Sequence, residues 1–131
     1  MKKLLFVLAG FVILVSISCN KSNNDTDVTY TTSYLVTSLG DVTMDTIMYM
    51  DANGDEKYEM GTSSLNMSFE TKNGYHAKLY LSGTTNKGSC GILVGVEKVG
   101  ESGYIKFAVD STSSTTPQHF TFHKEFYSLG K

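Results

Sequence analysis

The chain has 131 residues, with 11 lysines, no arginine, 13 acidic residues and a net charge of −2. Arginine is the side chain that grips phosphate and guanine bidentately. Its absence, with no basic cluster in its place, argues against a nucleic-acid partner. The length suits one domain.

The chain opens with MKKLLFVLAGFVILVSISCN. Lys2 and Lys3 precede an unbroken apolar run from Leu4 to Val15, the layout of a secretory leader. A bilayer-spanning helix needs about 20 apolar residues, and this run is closed early by Ser16, Ser18 and Asn20. The ending Ser16-Ile17-Ser18-Cys19 resembles the lipobox of bacterial lipoproteins. Ser18 is the small residue required before the cysteine, whereas Ser16 replaces the usual Leu. The resemblance implies cleavage after residue 18 and diacylation of Cys19. Acyl chains contribute about 0.8 kcal/mol per buried CH₂, and two chains give durable anchoring. Two other readings use the same residues: an uncleaved anchor, and a secreted protein cut near Ser18 without lipid.

Cleavage would leave nine lysines against 13 acids, a net charge of −4. With Cys19 lipidated, only Cys90 remains, so no internal disulfide can form. Cys90 lies in Gly88-Ser89-Cys90-Gly91. It reads as a small, partly buried residue at a strand start; the alternative is a reactive thiol, for which no neighbouring cation is apparent.

Asn20 to Asp27 is polar and aperiodic, a spacer between anchor and domain. From Val28 the pattern is strand after strand. Thr29–Leu39 is rich in β-branched and aromatic residues, with Tyr30, Thr32, Tyr34 and Val36 on one face and Leu35 and Leu39 on the other. Val42–Asp51 follows, with Ile47 and Tyr49 opposite Met44, Met48 and Met50. Asn53-Gly54 predicts a tight hairpin turn into Glu56–Met60. Leu65, Met67 and Phe69 alternate with polar residues. Asn73-Gly74 makes a second turn. Tyr75, Ala77, Leu79 and Leu81 alternate next.

Gly83–Gly91 predicts a loop. Ile92–Val99 is mostly apolar and predicts a central strand, with Gly95 a bulge or a close backbone approach. Tyr104–Val109 returns, with Ile105, Phe107 and Val109 on one face. Asp110–Gln118 predicts a loop. In His119–Tyr127, Phe120, Phe122 and Phe126 oppose His119, His123 and Tyr127. No window after Val28 has helical periodicity. The expectation is an all-β antiparallel sandwich of seven or eight strands over residues 28–131.

Asp51, Asn53 and Asp55 are spaced like calcium ligands. An EF-hand loop needs Gly at its sixth position and Glu at its twelfth; Glu56 and Thr62 stand there, so a turn is expected. His119 and His123 on a strand are roughly 13 Å apart, too far for one metal ion with bonds of about 2.1 Å. No nucleophile elbow, zinc-protease motif or phosphate loop is present. No cofactor, metal or catalytic residue is expected. The tyrosines predict mostly core or sheet-surface packing, with Tyr30, Tyr34, Tyr49, Tyr58, Tyr80 and Tyr127 as candidate outward contacts.

Tyr34-Leu35-Val36, then Ile47-Met48-Tyr49-Met50-Asp51-Ala52-Asn53-Gly54, then Phe69 and Gly74, then strands near Tyr75–Leu81 and Ile92–Val99, follow the order of motifs in a known group. The stretch from about Thr29 to Val109 resembles small bacterial lipoproteins related to the mycobacterial small membrane protein accessory family. Ser64-Leu65-Asn66 stands where that group has Leu-Pro-Trp, and Asp110–Lys131 is additional. The resemblance implies an immunoglobulin- or transthyretin-like sandwich and a non-enzymatic role beside envelope machinery. It transfers no site residue.

The sequence therefore predicts a lipid-anchored envelope protein, outer-membrane in location and periplasmic or surface-facing. It would bind an envelope protein or a small ligand. The alternative is a small β-barrel carrying an apolar ligand, which demands a closed wall and an empty interior.

Overall fold

The computed structural model describes residues 28–128. The leader, Cys19 and the spacer to Asp27 lie outside the described residues. Six strands account for the architecture: β1 (Thr29–Met50), β2 (Glu56–Glu59), β3 (Leu65–Lys72), β4 (His76–Lys98), β5 (Tyr104–Ser114) and β6 (Gln118–Tyr127). All pairings are antiparallel.

Two long strands form the spine. β1 and β4 pair along nearly their whole lengths, from Tyr30 opposite Lys98 to Tyr49 opposite Leu79. On the outer edge of β1, Thr29–Val36 takes β3 and Ile47–Met50 takes β2. On the outer edge of β4, His76–Thr85 takes β6 and Gly88–Glu97 takes β5.

That sheet is folded over on itself. In a straight strand, Tyr34 and Tyr49 would lie about 50 Å apart. Their ring centroids are 6.0 Å apart. The first half of β1, the second half of β4, β3 and β5 make one layer. The last part of β1, the first half of β4, β2 and β6 make the other. Strands that pass from layer to layer through bends and bulges are a recognised way to build such a corner.

The bend explains the strand count. The separate runs Thr29–Leu39 and Val42–Asp51 are one strand, β1. Tyr75–Leu81 and Ile92–Val99 are likewise one strand, β4, and Gly83–Gly91 is its paired middle and not a loop. Glycine is used there for contact. Gly83 faces Met44 and Gly88 faces Gly40 across the pair. A Cβ on Gly83 would meet the Thr43 carbonyl and the Phe120 ring; one on Gly88 would meet the Leu39 carbonyl. Register shifts at Asp41/Val42 and Met44/Thr46 take up the bend. The second shift moves Met44 onto the core side with Ile47 and Tyr49, correcting the face expected for it. Asp110–Gln118 also shortens as a loop, because β5 runs to Ser114 and β6 begins at Gln118.

The space between the layers is filled by side chains. Tyr34, Val36, Ile92 and Val94 from one layer meet Ile47, Leu79, Leu81 and Phe122 from the other. The Tyr34 hydroxyl accepts from the Lys78 amide at 3.2 Å and lies 3.3 Å from the Tyr75 hydroxyl, which donates to the Met50 and Asp51 carbonyls at 2.8 Å each. Burial pushes the Tyr34 and Tyr75 phenols up from their ordinary range, so both stay neutral donors. Lys124 pairs with Asp110 at 2.9 Å where β6 stacks over β5. The sheet keeps open edges and does not close into a barrel. The carrier alternative thus lacks the closed wall it requires.

Candidate functional site

The two outward faces differ in character. On the layer containing β2 and β6, the exposed face is charged and paired. Lys78 bonds Glu56 at 2.8 Å, and Tyr58 donates to the same carboxylate at 2.9 Å. The Lys78 ammonium, followed by the Tyr58 hydroxyl, holds Glu56 below the usual carboxylate range. His76 stacks on Tyr127, with centroids 4.5 Å apart.

His76 and His123 approach the same Glu125 oxygen, at 3.2 and 3.6 Å. His119 instead meets the Thr84 hydroxyl at 3.0 Å. The fold thus brings together a different His pair from the one that sequence spacing drew attention to. Among the described residues no group of His, Cys, Asp and Glu has the geometry of a metal site.

The Asp51 loop is a self-contained turn. The Asp51 carboxylate accepts the Asn53 and Asp55 amides, both at 2.9 Å, and pairs with Lys57 at 3.3 Å. The hydrogen bond from the Asp55 amide is the main cause that holds the Asp51 carboxyl below the ordinary aspartate range. Gly54 supplies the positive φ of 83° that the turn needs. Both oxygens of the Asp51 carboxylate are thus engaged within the loop.

Cys90 sits mid-strand in β4, not at a strand start, and is 2% exposed. Burial pushes its thiol up, away from the reactive thiolate. Of the candidate contact tyrosines, Tyr30, Tyr34 and Tyr49 are buried, Tyr80 is half-buried, and Tyr58 and Tyr127 are exposed.

The other outward face, on the layer of β3, β1, β4 and β5, is apolar at its centre. Register places its residues in rows. Leu35, Leu93 and Val109 form one row across β1, β4 and β5; Ser33, Gly95 and Phe107 form the next. Val109 is 54% exposed and Phe107 is 63% exposed. Tyr104 lays its ring on the Gly95 backbone, where a Cβ would collide with it. Gly95 is therefore the close approach expected from sequence. The ring of Tyr104 tilts against that of Phe107 at 6.3 Å between centroids.

Beyond Val109 the face turns polar: Thr37, Gly91 and Ser111 make one row, Leu39, Ser89 and Ser113 the last. A shallow hollow of about 210 Å³ opens over Gly91, walled by Leu35, Leu93 and Val109. It continues into a wider groove of about 480 Å³ with Thr37, Leu39 and Ser113 among its walls. At the opposite end Glu97 and Glu70 flank Thr31.

The apolar centre is bordered by serine, threonine and carboxylate side chains, with Leu39 exposed among them. No element among the described residues covers it. Alternation revealed that Phe107 and Val109 share a face; only the register showed that Leu35 and Leu93 continue it, and its irregularity at Val96/Glu97 puts Tyr104, not Ile105, in step with the face. Comparison with protein-family models, with curated proteins and with solved structures gives no match.

Proposed function

We propose that this chain is a lipid-anchored protein of the bacterial cell envelope, acting as a non-enzymatic binding or accessory module. The leader ending in Ser18-Cys19 supports the anchor. The uncovered row Leu35, Leu93 and Val109, bordered by Phe107, is the observation that carries the binding role. A protein partner fits this surface better than a small ligand. The hollows are shallow, whereas small-molecule sites bury most of their ligand.

The test is capture from cross-linked membranes of cells producing the full chain. Wild-type chain is expected to bring down a defined envelope protein. Leu93→Lys places a charge at the centre of the face and should abolish that capture while the chain keeps its β circular-dichroism spectrum and its membrane fractionation. Capture that persists with Leu93→Lys, or wild-type chain that recovers no specific protein, overturns the binding role.

A further inference from the structure

The exposed edges of the two layers are not equally guarded. β2 carries Glu56, Lys57 and Glu59; β3 carries Glu70 and Lys72; β6 carries His119, His123, Lys124 and Glu125. Charges of this kind discourage a sheet edge from pairing with another chain. β5 has only Lys106 and Asp110, and both are turned inward toward β6. Lys106 donates to the Tyr127 carbonyl at 3.2 Å and lies over the Phe126 ring, while Asp110 pairs with Lys124.

Among the described residues, β4 is the only strand that pairs with β5. The Ser111 amide bonds the Asp110 carboxylate at 2.9 Å. It is therefore not directed at β4. By strand alternation, the amides of Phe107 and Val109 also face the open edge.

We propose that β5 is a self-pairing edge: two copies of this chain join antiparallel through β5, with Ala108 on the twofold axis. The β5 sequence is complementary to itself in that register. Phe107 falls opposite Val109 of the second copy, and Lys106 falls opposite its Asp110. Opposite charges and apolar pairs are the cross-strand combinations that favour a register. Phe107 and Val109 exchange both backbone hydrogen bonds with each other across the axis. A twofold repeats every one of these contacts.

The neighbouring registers that keep the Phe107 and Val109 amides facing the second copy put Phe107 or Val109 on the axis, and they set Lys106 opposite Ala108 or Thr112. The charge pairing is then lost, so Ala108 is the centre that the sequence selects. The pairing joins the two outward apolar faces side by side without covering either. It lies at the β5 edge, whereas the binding surface proposed above is centred on Leu93. The two therefore stand or fall separately.

The register makes the test specific. At the axis, the two Ala108 Cα atoms would lie about 4.5 Å apart, the spacing of a non-hydrogen-bonded pair and within disulfide reach. Two copies of Ser113 would be roughly 33 Å apart. Under mild oxidation, full-length Ala108→Cys should run as a reducible dimer, whereas Ser113→Cys should match the wild-type chain, which controls for Cys19 and Cys90. Sedimentation of the unmodified chain should give a dimer mass. A monomer mass overturns the proposal. A dimer in which Ala108→Cys stays unlinked, or in which Ser113→Cys links equally well, overturns it too.

Discussion

Tyr34→Ala should lower stability by about 3–5 kcal/mol, the range for removing a buried aromatic ring. A domain of this size has about 5–15 kcal/mol in total, so the variant sits near the limit of folding. Tyr34 is completely buried and touches both layers at once. Its ring lies 6.0 Å from Tyr49 and 5.8 Å from Phe69. Its hydroxyl is the acceptor for the Lys78 amide. Alanine leaves a cavity between the layers and an unpaired amide beside it.

Tyr34→Phe separates the two effects. It keeps the ring and loses the acceptor, at about 1–3 kcal/mol for a polar group left unsatisfied. Urea unfolding of both variants gives the comparison. Equal losses would mean that packing between the layers contributes nothing measurable at this position.

Gly83→Ala should destabilise by about 1–3 kcal/mol, the range for overpacking, and Gly83→Val by more. The added Cβ meets the Thr43 carbonyl, which belongs to the paired strand and cannot turn aside as a flexible side chain would. Gly91, eight residues along the same strand, is the control. A Cβ there finds its nearest neighbour, the Asp110 carbonyl, at 3.4 Å, an ordinary contact. Alanine within a strand is favoured over glycine by roughly 0.5–1 kcal/mol. Gly91→Ala should therefore be neutral or mildly stabilising. If the two glycines respond alike in urea midpoint, the strands do not cross closely at Gly83 and the corner is wrongly described.

The two glycines also show how far the fold could be read from sequence. Alternation found the inward residues of nearly every strand: Tyr30, Thr32, Tyr34 and Val36 on β1, Leu79 and Leu81 on β4, Phe120 and Phe122 on β6. Asn53-Gly54 and Asn73-Gly74 marked real turns, with φ of 83° at Gly54 and 78° at Gly74. The all-β antiparallel class follows from these alone. The segment Gly83–Gly91 misled because glycine-rich polar sequence is shared by loops and by strands that bend against a neighbour. Composition is local, whereas the reason for Gly83 is a carbonyl 40 residues earlier.

Met44 was misplaced for a related reason. A register shift reverses the face of everything beyond it, and no residue type announces one. The interaction face was half legible. Phe107 and Val109 alternate visibly, but their neighbours Leu35 and Leu93 come from strands far away in the chain. Likewise, pairing of His76 with Glu125 depends on the β4–β6 register.

The proposed anchor is lipid on Cys19, holding this sandwich at an envelope membrane. Intact mass spectrometry of the full gene product, extracted from membranes of a bacterial host with detergent, addresses it directly. The expected product is a chain beginning at Cys19 that carries the added mass of a diacylglyceryl group. In Cys19→Ala the added mass should vanish. A product that retains Met1, or one cut near Ser18 with an unmodified Cys19, would contradict the account.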